Sequence, residues 1–191
     1  MEREFIRFVE QPTSESYLAA RDAMLAVEPE TLTAADLVEL GRLLVAHKFE
    51  ALLAFCETLP ATAALSPRVH FFAAEAASAL GDGERSELER CLFVVCLQGL
   101  LSTGDGSQRH PYVICHASDE NDVLEALERK SAGKTLVQVR GGVCDVIDCS
   151  NDTQLWFDVT AAVGTPVRRR QARPRRIARS RAREPVTRTP R

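Results

Sequence analysis

Residues Glu87–Ser102 read Glu-Leu-Glu-Arg-Cys-Leu-Phe-Val-Val-Cys-Leu-Gln-Gly-Leu-Leu-Ser, and this stretch decides the fold. The pattern predicts a helix that is apolar on nearly every side from Cys91 to Leu101. A surface helix has one apolar stripe, whereas a helix that is apolar all round is covered on more than one side. We therefore expect this central helix to lie between a layer formed by the residues before it and a layer formed by the residues after it.

Charge is divided sharply along the chain of 191 residues, although the formal net charge is only -3. Eleven of the 24 Lys and Arg residues, but only one of the 27 acidic residues, follow Gly164. The remainder therefore holds 13 basic and 26 acidic residues. With 45% hydrophobic residues, the chain can bury a core. These numbers predict an acidic globule that carries a basic tail.

The cysteines and the first residues bear on the compartment. None of the six cysteines forms a Cys-x-x-Cys pair, and most lie inside apolar runs. This is typical of reduced, buried cysteines in a cytosolic protein. Residues Met1–Phe8 lack the apolar core of a secretory signal. The run Cys91–Leu101 is shorter than the ~20 residues that span a bilayer. We therefore expect a cytoplasmic protein with no membrane span.

The first half of the chain carries signals for helical hairpins with short turns. Thr33 and Asp36 have the spacing of a capping box, and Ser66-Pro67 places a cap before a proline at the first helical position. Small and apolar residues recur between Leu37 and Arg90 at Gly41, Leu44, Phe49, Leu52, Pro67, Ala74, Ala77, Leu80, Gly81 and Leu88. This pattern resembles a degenerate tetratricopeptide repeat, which implies closely packed helix pairs. The alternative is an ordinary antiparallel helical bundle without a groove. Since fewer than three repeats rarely bury a continuous core, we expect the second half of the chain to cap the hairpins.

The second half of the chain predicts a small sheet with one further helix. Tyr112–His116 is a predicted strand, and Ser118 is the predicted cap of a helix with an acidic start. Three more strands are predicted over Thr135–Arg140, Val143–Cys149 and Gln154–Val159, with Gly141-Gly142 as the turn between the first two. The order indicates an α+β fold in which an antiparallel sheet packs on the central helix.

Four short motifs follow one another through this second half. They are Ser102–Ser107 with Pro111-Tyr112, Asp119–Leu124, Asp145–Ile147 and Trp156–Val159. Together they resemble a bacterial family known only as a domain of unknown function, whose features include a Ser-Gly-Asp-Gly loop after a helix. The resemblance covers Glu87–Thr160 and implies the same α+β fold. Because that family has no assigned activity, it implies no chemistry.

A polar loop after the central helix is the candidate ligand site. It contains Gly104, Asp105, Gly106, Arg109 and His110. Glycine amides together with Arg109 can hold an anion in a backbone nest. The alternative is a structural loop, because the Gly-Lys-Ser/Thr of a P-loop and the ligand run of a calcium loop are both missing.

The cysteine, histidine and acidic residues form no recognisable catalytic motif, and we predict no catalytic residue, cofactor or metal. A Cys115 thiolate activated by His110 is conceivable, although cysteine is most often simply buried. His47 and His70 are interpreted as turn or packing residues. Six acidic residues can converge on a metal: Asp105, Asp119, Glu120, Asp145, Asp148 and Asp158. The alternative is that they are solvated residues of strands and helix caps.

The basic tail is the second distinctive feature of the sequence. Its candidate polyanion-binding residues are Arg168, Arg169, Arg170, Arg173, Arg175, Arg176, Arg179, Arg181 and Arg183. The composition predicts disorder, and Arg-rich arms bind phosphate backbones through counterion release. The absence of aromatic residues argues against base stacking. Folding back onto the acidic body, or no role, are the alternatives.

The sequence thus predicts hairpins over 1–86, an α+β domain over 87–163 packed with them as one body, and a disordered tail over 164–191. We expect a non-enzymatic protein-interaction module that binds an unknown protein partner. The alternative is non-specific binding of nucleic acid or another polyanion through the tail.

Overall fold

The computed structural model describes residues 1–163, so the predicted tail and its arginines lie outside the described residues. Within 1–163 the chain forms seven α-helices, one 3₁₀ helix and four strands, which confirms the α+β class. The elements are α1 (Glu2–Glu10), α2 (Ser14–Val27), α3 (Ala34–Val45), α4 (Phe49–Cys56), the 3₁₀ helix (Ala61–Leu65), α5 (Pro67–Ala79), α6 (Gly83–Ser102), β1 (Tyr112–Val113), α7 (Asp119–Ala126), β2 (Ser131–Val139), β3 (Gly142–Cys149) and β4 (Gln154–Asp158).

A capping box and a proline place the starts of α3 and α5 where the sequence predicts them. The Thr33 hydroxyl accepts a hydrogen bond from the Asp36 amide, and the Asp36 carboxylate accepts one from the Thr33 amide. Pro67 occupies the first turn of α5, but the predicted cap Ser66 makes no capping hydrogen bond through its side chain. His47 has a φ of 52° in the turn between α3 and α4, which fits its interpretation as a turn residue. The capping box and proline therefore fix the entries of α3 and α5.

The sheet has the strand order β1-β4-β3-β2. Strands β2, β3 and β4 are antiparallel, as predicted. The turn between β2 and β3 is Arg140-Gly141, not the predicted Gly141-Gly142, because Gly142 already pairs with Val139; Gly141 takes a φ of 102° there. β1 covers only two residues of the predicted strand Tyr112–His116 and pairs with β4 in parallel, so the whole sheet is mixed. Phe157 and Val159 are buried in the core.

Two clusters of buried side chains form the interior. The larger one combines α1, α2, α6, α7 and the sheet, with members that include Phe8, Tyr17, Cys96, Leu100 and Phe157. The smaller one lies among α3, α4 and α5 and includes Leu40, Leu52 and Val69. The first two helices therefore share a core with the sheet.

Helix α6 joins these layers, but it is not covered all round. Cys96, Gly99 and Leu100 are buried. In contrast, Leu88 is 58% exposed, Val94 is 49% exposed and Cys91 is exposed. We call these three residues the α6 flank. The structure differs here from the prediction of a helix covered on both sides, because α1, α2, α5 and α7 contact α6 without enclosing this flank. Within residues 1–163, none of the helices is both long enough and apolar enough to cross a membrane.

Candidate functional site

The start of α7 holds three acidic side chains in the interior of the protein. Asp119, Glu120 and Asp122 are all less than 5% exposed. The predicted cap, Ser118, makes no capping hydrogen bond through its side chain. Instead, Oδ2 of Asp119 accepts hydrogen bonds from the amides of Cys115 and His116, each at 2.9 Å. These two bonds turn the chain from β1 into α7.

Each of the other two acids binds a cation from a different element. Oε2 of Glu120 lies 2.7 Å from Nζ of Lys134 in β2, which also lies 2.6 Å from Oδ2 of Asp145. Oδ1 of Asp122 lies 2.5 Å from the Arg68 guanidinium of α5. Helix α7 is therefore tied to the sheet on one side and to the helical hairpins on the other.

Burial dominates the electrostatics of these acids. It raises the pKa of Asp119 to about 7, although the two amides that bind this carboxylate favour the charged form. Burial also raises the pKa of Glu120 to about 7 against the attraction of Lys134. The pKa of Asp122 rises to about 7 because burial outweighs the attraction of Arg68. One oxygen of each carboxyl group, and the Ser118 hydroxyl, have no hydrogen-bond partner within residues 1–163.

A cleft of about 450 Å³ lies beside these groups, between the hairpins and the sheet half of the molecule. Its volume is within the range of small-ligand and peptide side-chain sites. Its lining combines apolar side chains with two guanidinium groups and two hydroxyls: Leu37, Arg68, Phe72, Ser118, Asn121, Leu124, Glu125, Arg129 and Ser131. Arg68 is already bound to Asp122 and, at 3.1 Å, to Glu125. The guanidinium groups, hydroxyls and apolar side chains of the lining can together contact a ligand that carries both an acidic and an apolar group.

A second cavity, of about 300 Å³, brings Cys56, His70, Arg85 and Glu89 together. Nδ1 of His70 lies 2.7 Å from Oε2 of Glu89, and Nε2 lies 3.0 Å from the Ala64 carbonyl oxygen. Both ring nitrogens are therefore engaged, which leaves none to activate the thiol. Burial, reinforced by Glu89, raises the pKa of Cys56 to about 11, so the thiol is protonated at neutral pH. This group packs α5 against α6 and provides no nucleophile.

The predicted loop site is tied to its own backbone and to the sheet. The amides of Asp105 and Gly106 both donate to the His110 carbonyl, at 3.0 and 3.1 Å. Oδ1 of Asp105 accepts a hydrogen bond from the Ser107 amide. Hydrogen bonding by the Ser107 side chain, and then by its amide, lowers the pKa of Asp105. The Gly106 carbonyl accepts from the Trp156 amide at 2.9 Å. The contacts of Asp105, Gly106 and His110 are those expected of a structural loop, and an anion site that also uses Gly104 and Arg109 stays a prediction.

The remaining candidates are dispersed or buried. The Cys115 thiol is buried, and its pKa is raised by burial and by Asp119, so it is not a thiolate at neutral pH. Of the predicted acidic set, the structure brings Glu120 and Asp145 together on Lys134. No group of three or more potential metal ligands of the types His, Cys, Asp and Glu converges within residues 1–163.

Sequence reasoning misses the residues that build the cleft and its ion pairs. It does not single out Arg68, Asp122 or Lys134 as site residues, and it assigns the acids of α7 to a solvated cap. A signal is nevertheless present, since Asp119 and Glu120 precede the apolar residues Val123 and Leu124 by four positions each. Residues four apart share one face of a helix, so these acids face the same side as the buried apolar residues.

Comparisons of the chain with protein-family models, with curated proteins and with solved structures give no match.

Proposed function

We propose that this chain is a non-enzymatic, cytosolic protein-interaction module, and that the cleft between α3, α5 and α7 binds an extended segment of a partner protein. The helix pairs α3–α4 and α5–α6 act as tetratricopeptide-like hairpins that present α3 and α5 to this segment. The free state of all six cysteines supports the cytosolic location.

The composition of the cleft carries the proposal. Leu37, Phe72 and Leu124 supply an apolar lining, and Ser118 supplies a buried hydroxyl without a partner in residues 1–163. Arg129 is exposed at the rim and forms no ion pair within the described part of the chain. This arrangement suits a bulky apolar side chain followed by a carboxylate, because the guanidinium can pair with the acid while the apolar side chain is buried.

Selection from a random peptide display library tests this proposal. We expect the purified protein to enrich peptides that combine a large apolar residue with an adjacent Asp or Glu. Arg129→Glu should weaken binding of the enriched peptides by about tenfold or more, since it places like charges together at the rim. The matched control is Lys130→Glu, which makes the same charge change at the neighbouring exposed position outside the cleft lining.

Two results would contradict the proposal. One is that no peptide class is enriched over a protein-free support. The other is that Arg129→Glu and Lys130→Glu weaken binding equally, which would indicate a general effect of net charge.

A second candidate function rests on the charge of the tail. Eleven Arg residues and one acidic residue follow Gly164, and such arms bind polyanions by counterion release. We propose that the tail binds nucleic acid or another polyanion without sequence preference. Deleting residues Thr165–Arg191 should abolish binding to a random DNA duplex measured by fluorescence anisotropy. Binding by the full chain should fall by ~10³ or more between 50 and 200 mM salt if six or more phosphates are contacted. Equal binding by the truncated chain would exclude this function.

A further inference from the structure

The sheet has an inner face in the larger core cluster and an outer face that belongs to neither cluster. Residues that pair across strands project to the same side of a sheet, so the register assigns each side chain to a face. Val143 and Ile147 of β3 are members of the larger cluster, whereas Cys144 and Val146, which alternate with them, are members of neither. The outer face includes Val137, Cys144, Val146, Asp148, Trp156 and Asp158. An antiparallel sheet commonly turns polar side chains to water, but the centre of this face is apolar.

Trp156 lies at the centre of the outer face between two carboxylates. It is the only tryptophan of the chain and is half-buried. Oδ1 of Asp158 accepts from the Thr160 amide at 2.9 Å, and Oδ1 of Asp148 accepts from the Gln154 side chain at 2.8 Å. Neither carboxylate pairs with a Lys or Arg side chain within residues 1–163. Guanidinium groups stack on indole rings and pair with carboxylates, so this surface suits a segment rich in arginine.

The chain carries such a segment directly after the sheet. The described residues end at Val163, five residues after the last residue of β4. Residues 164–191 hold eleven Arg and one acidic residue, whereas the rest of the chain holds 13 basic and 26 acidic residues. The two parts therefore have opposite net charge. Because they belong to one chain, the local concentration of the tail at the sheet is high, on the order of millimolar for a short connection.

The length of the tail is sufficient to cross the outer face. Arg168 follows Val163 by five residues, which span up to ~17 Å when extended. Asp158 pairs with Cys144, which precedes Asp148 by four residues, so the two carboxylates are about 13 Å apart along the strands. Arg169 and Arg173 are also four residues apart. An extended segment of this length can place guanidinium groups at both carboxylates and over the indole ring between them.

We propose that the outer face of the sheet is the docking site of the chain's own basic tail, with Arg168–Arg176 lying across Trp156 between Asp158 and Asp148. This surface is separate from the cleft lining, so the proposal does not depend on peptide binding in the cleft. An arginine that is docked here cannot also pair with a phosphate. The contact therefore competes with the polyanion binding proposed for the tail, but it does not require that binding.

Quenching of Trp156 fluorescence by acrylamide, a neutral molecule, tests the contact in the full chain. The first variant replaces the five arginines nearest the sheet: Arg168→Gln, Arg169→Gln, Arg170→Gln, Arg173→Gln and Arg175→Gln. We expect its quenching constant to be about twofold or more above that of the parent, because the indole ring is uncovered. The parent should reach the same value in about 1 M salt, which screens the ion pairs.

The matched control makes the same five changes further along the tail: Arg179→Gln, Arg181→Gln, Arg183→Gln, Arg188→Gln and Arg191→Gln. It should leave the quenching constant unchanged. On the sheet, Asp148→Asn should raise the constant, whereas Glu75→Gln, the same change of charge at an exposed position of α5, should not. Equal quenching in the parent and the first variant, or an equal increase in both arginine variants, would overturn the proposal.

A bimane label, which tryptophan quenches on contact, tests the position of the tail without altering its charge. In a Cys56→Ser/Cys91→Ser background the four remaining cysteines are buried, so the label attaches to a cysteine introduced in the tail. Bimane on Ala172→Cys should be dimmer than bimane on Thr187→Cys, and Trp156→Phe should restore its emission. The quenching should not depend on protein concentration, because the contact lies within one chain. Equal emission at the two positions, or quenching that grows with concentration, would contradict docking within the chain.

Discussion

At the scale of single residues, His116 connects three segments that are distant in sequence. It is fully buried, its Nδ1 accepts from the Leu32 amide at 3.1 Å and its Nε2 lies 2.9 Å from the Thr62 carbonyl oxygen. The amide partner requires a ring nitrogen without a proton, so this network fixes the neutral tautomer with the proton on Nε2. The side chain therefore works as a structural link between the α2–α3 connection, the 3₁₀ helix and the segment before α7.

The protonation of His116 is the first prediction. Burial lowers the pKa of His116 to about 4. We expect its imidazole signals in two-dimensional ¹H–¹⁵N NMR to stay constant from pH 8 to pH 5.5 in the folded protein. In denaturant the same signals should titrate near ~6.5. Because the folded pKa lies below the unfolded one, this residue favours folding above about pH 6.5, and that contribution is lost as the pH falls toward 4. A folded-state titration near pH 6.5 would contradict the described hydrogen bonds.

The buried carboxyl group of Asp119 gives the second prediction, which has the opposite sign. Its pKa is raised to about 7, so the folded state holds a proton that the unfolded state has released above pH ~4. Its contribution to stability is therefore fully present at low pH and is lost as the pH rises toward 7. Asp119→Asn keeps an oxygen that can accept from the Cys115 and His116 amides but cannot ionise. The free energy of unfolding of Asp119→Asn minus that of the parent should increase by about 2 kcal/mol from pH 5 to pH 8, because only the parent loses stability as Asp119 ionises. Parallel curves from urea unfolding at the two pH values would contradict a raised pKa.

At the scale of elements, the contact of α1 and α2 with α6 depends on Gly99. A Cβ atom at this position would lie 2.6 Å from the Phe8 ring and 2.8 Å from the Tyr17 ring. The rings of Phe8 and Tyr17 pack edge to face, with centroids 5.5 Å apart, and both side chains are fully buried. The glycine thus allows two aromatic side chains to approach the backbone of α6.

We therefore expect Gly99→Ala to reduce the free energy of unfolding by about 1–3 kcal/mol, because the added methyl group overpacks the core. Gly41→Ala is the matched control, since Gly41 is also within a helix and a Cβ atom added there would meet no other part of the fold within 4 Å. There the change should stabilise the protein by up to ~1 kcal/mol through higher helix propensity. Chemical denaturation of both variants measures the difference, and an equal effect at the two positions would exclude close packing at Gly99.

Elements governed by local chemistry could be predicted from the sequence, and those governed by distant contacts could not. The Thr33 capping box and Pro67 act through neighbours in the chain, and each marks an element boundary in the structure. The hairpin turn between β2 and β3 lies at Arg140-Gly141, one residue before its predicted position. The parallel pairing of β1 with β4 depends on residues more than forty positions apart, as Tyr112 pairs with Phe157. The exposure of the α6 flank has a similar origin. The sequence shows that Leu88, Cys91 and Val94 are apolar, but only the tertiary arrangement decides which side of α6 other elements cover.

At the scale of the whole molecule, α7 connects two clusters of buried side chains. Arg68 belongs to α5, next to the smaller cluster, whereas Lys134 belongs to the sheet. Both cations bind the same short helix through Asp122 and Glu120. The candidate cleft lies at this junction, which explains why the sequence does not predict it. Its lining comes from segments that only the complete fold brings together.

The last prediction concerns how far this junction couples the two clusters. Arg68→Met leaves Asp122 buried without its cation, and we expect the free energy of unfolding at pH 8 to fall by about 2–4 kcal/mol. The double variant Arg68→Met/Asp122→Leu should recover most of this loss, because an apolar pair of similar size needs no charge compensation. Arg90→Met is the control, since it breaks the exposed Arg90–Glu87 ion pair and should change stability by less than ~0.5 kcal/mol.

If α7 holds the two clusters together, calorimetry should show one unfolding transition for the parent and for all three variants. Two transitions in the parent would mean that the two clusters unfold independently. If the double variant recovers no stability, the loss in Arg68→Met does not come from the unpaired charge of Asp122.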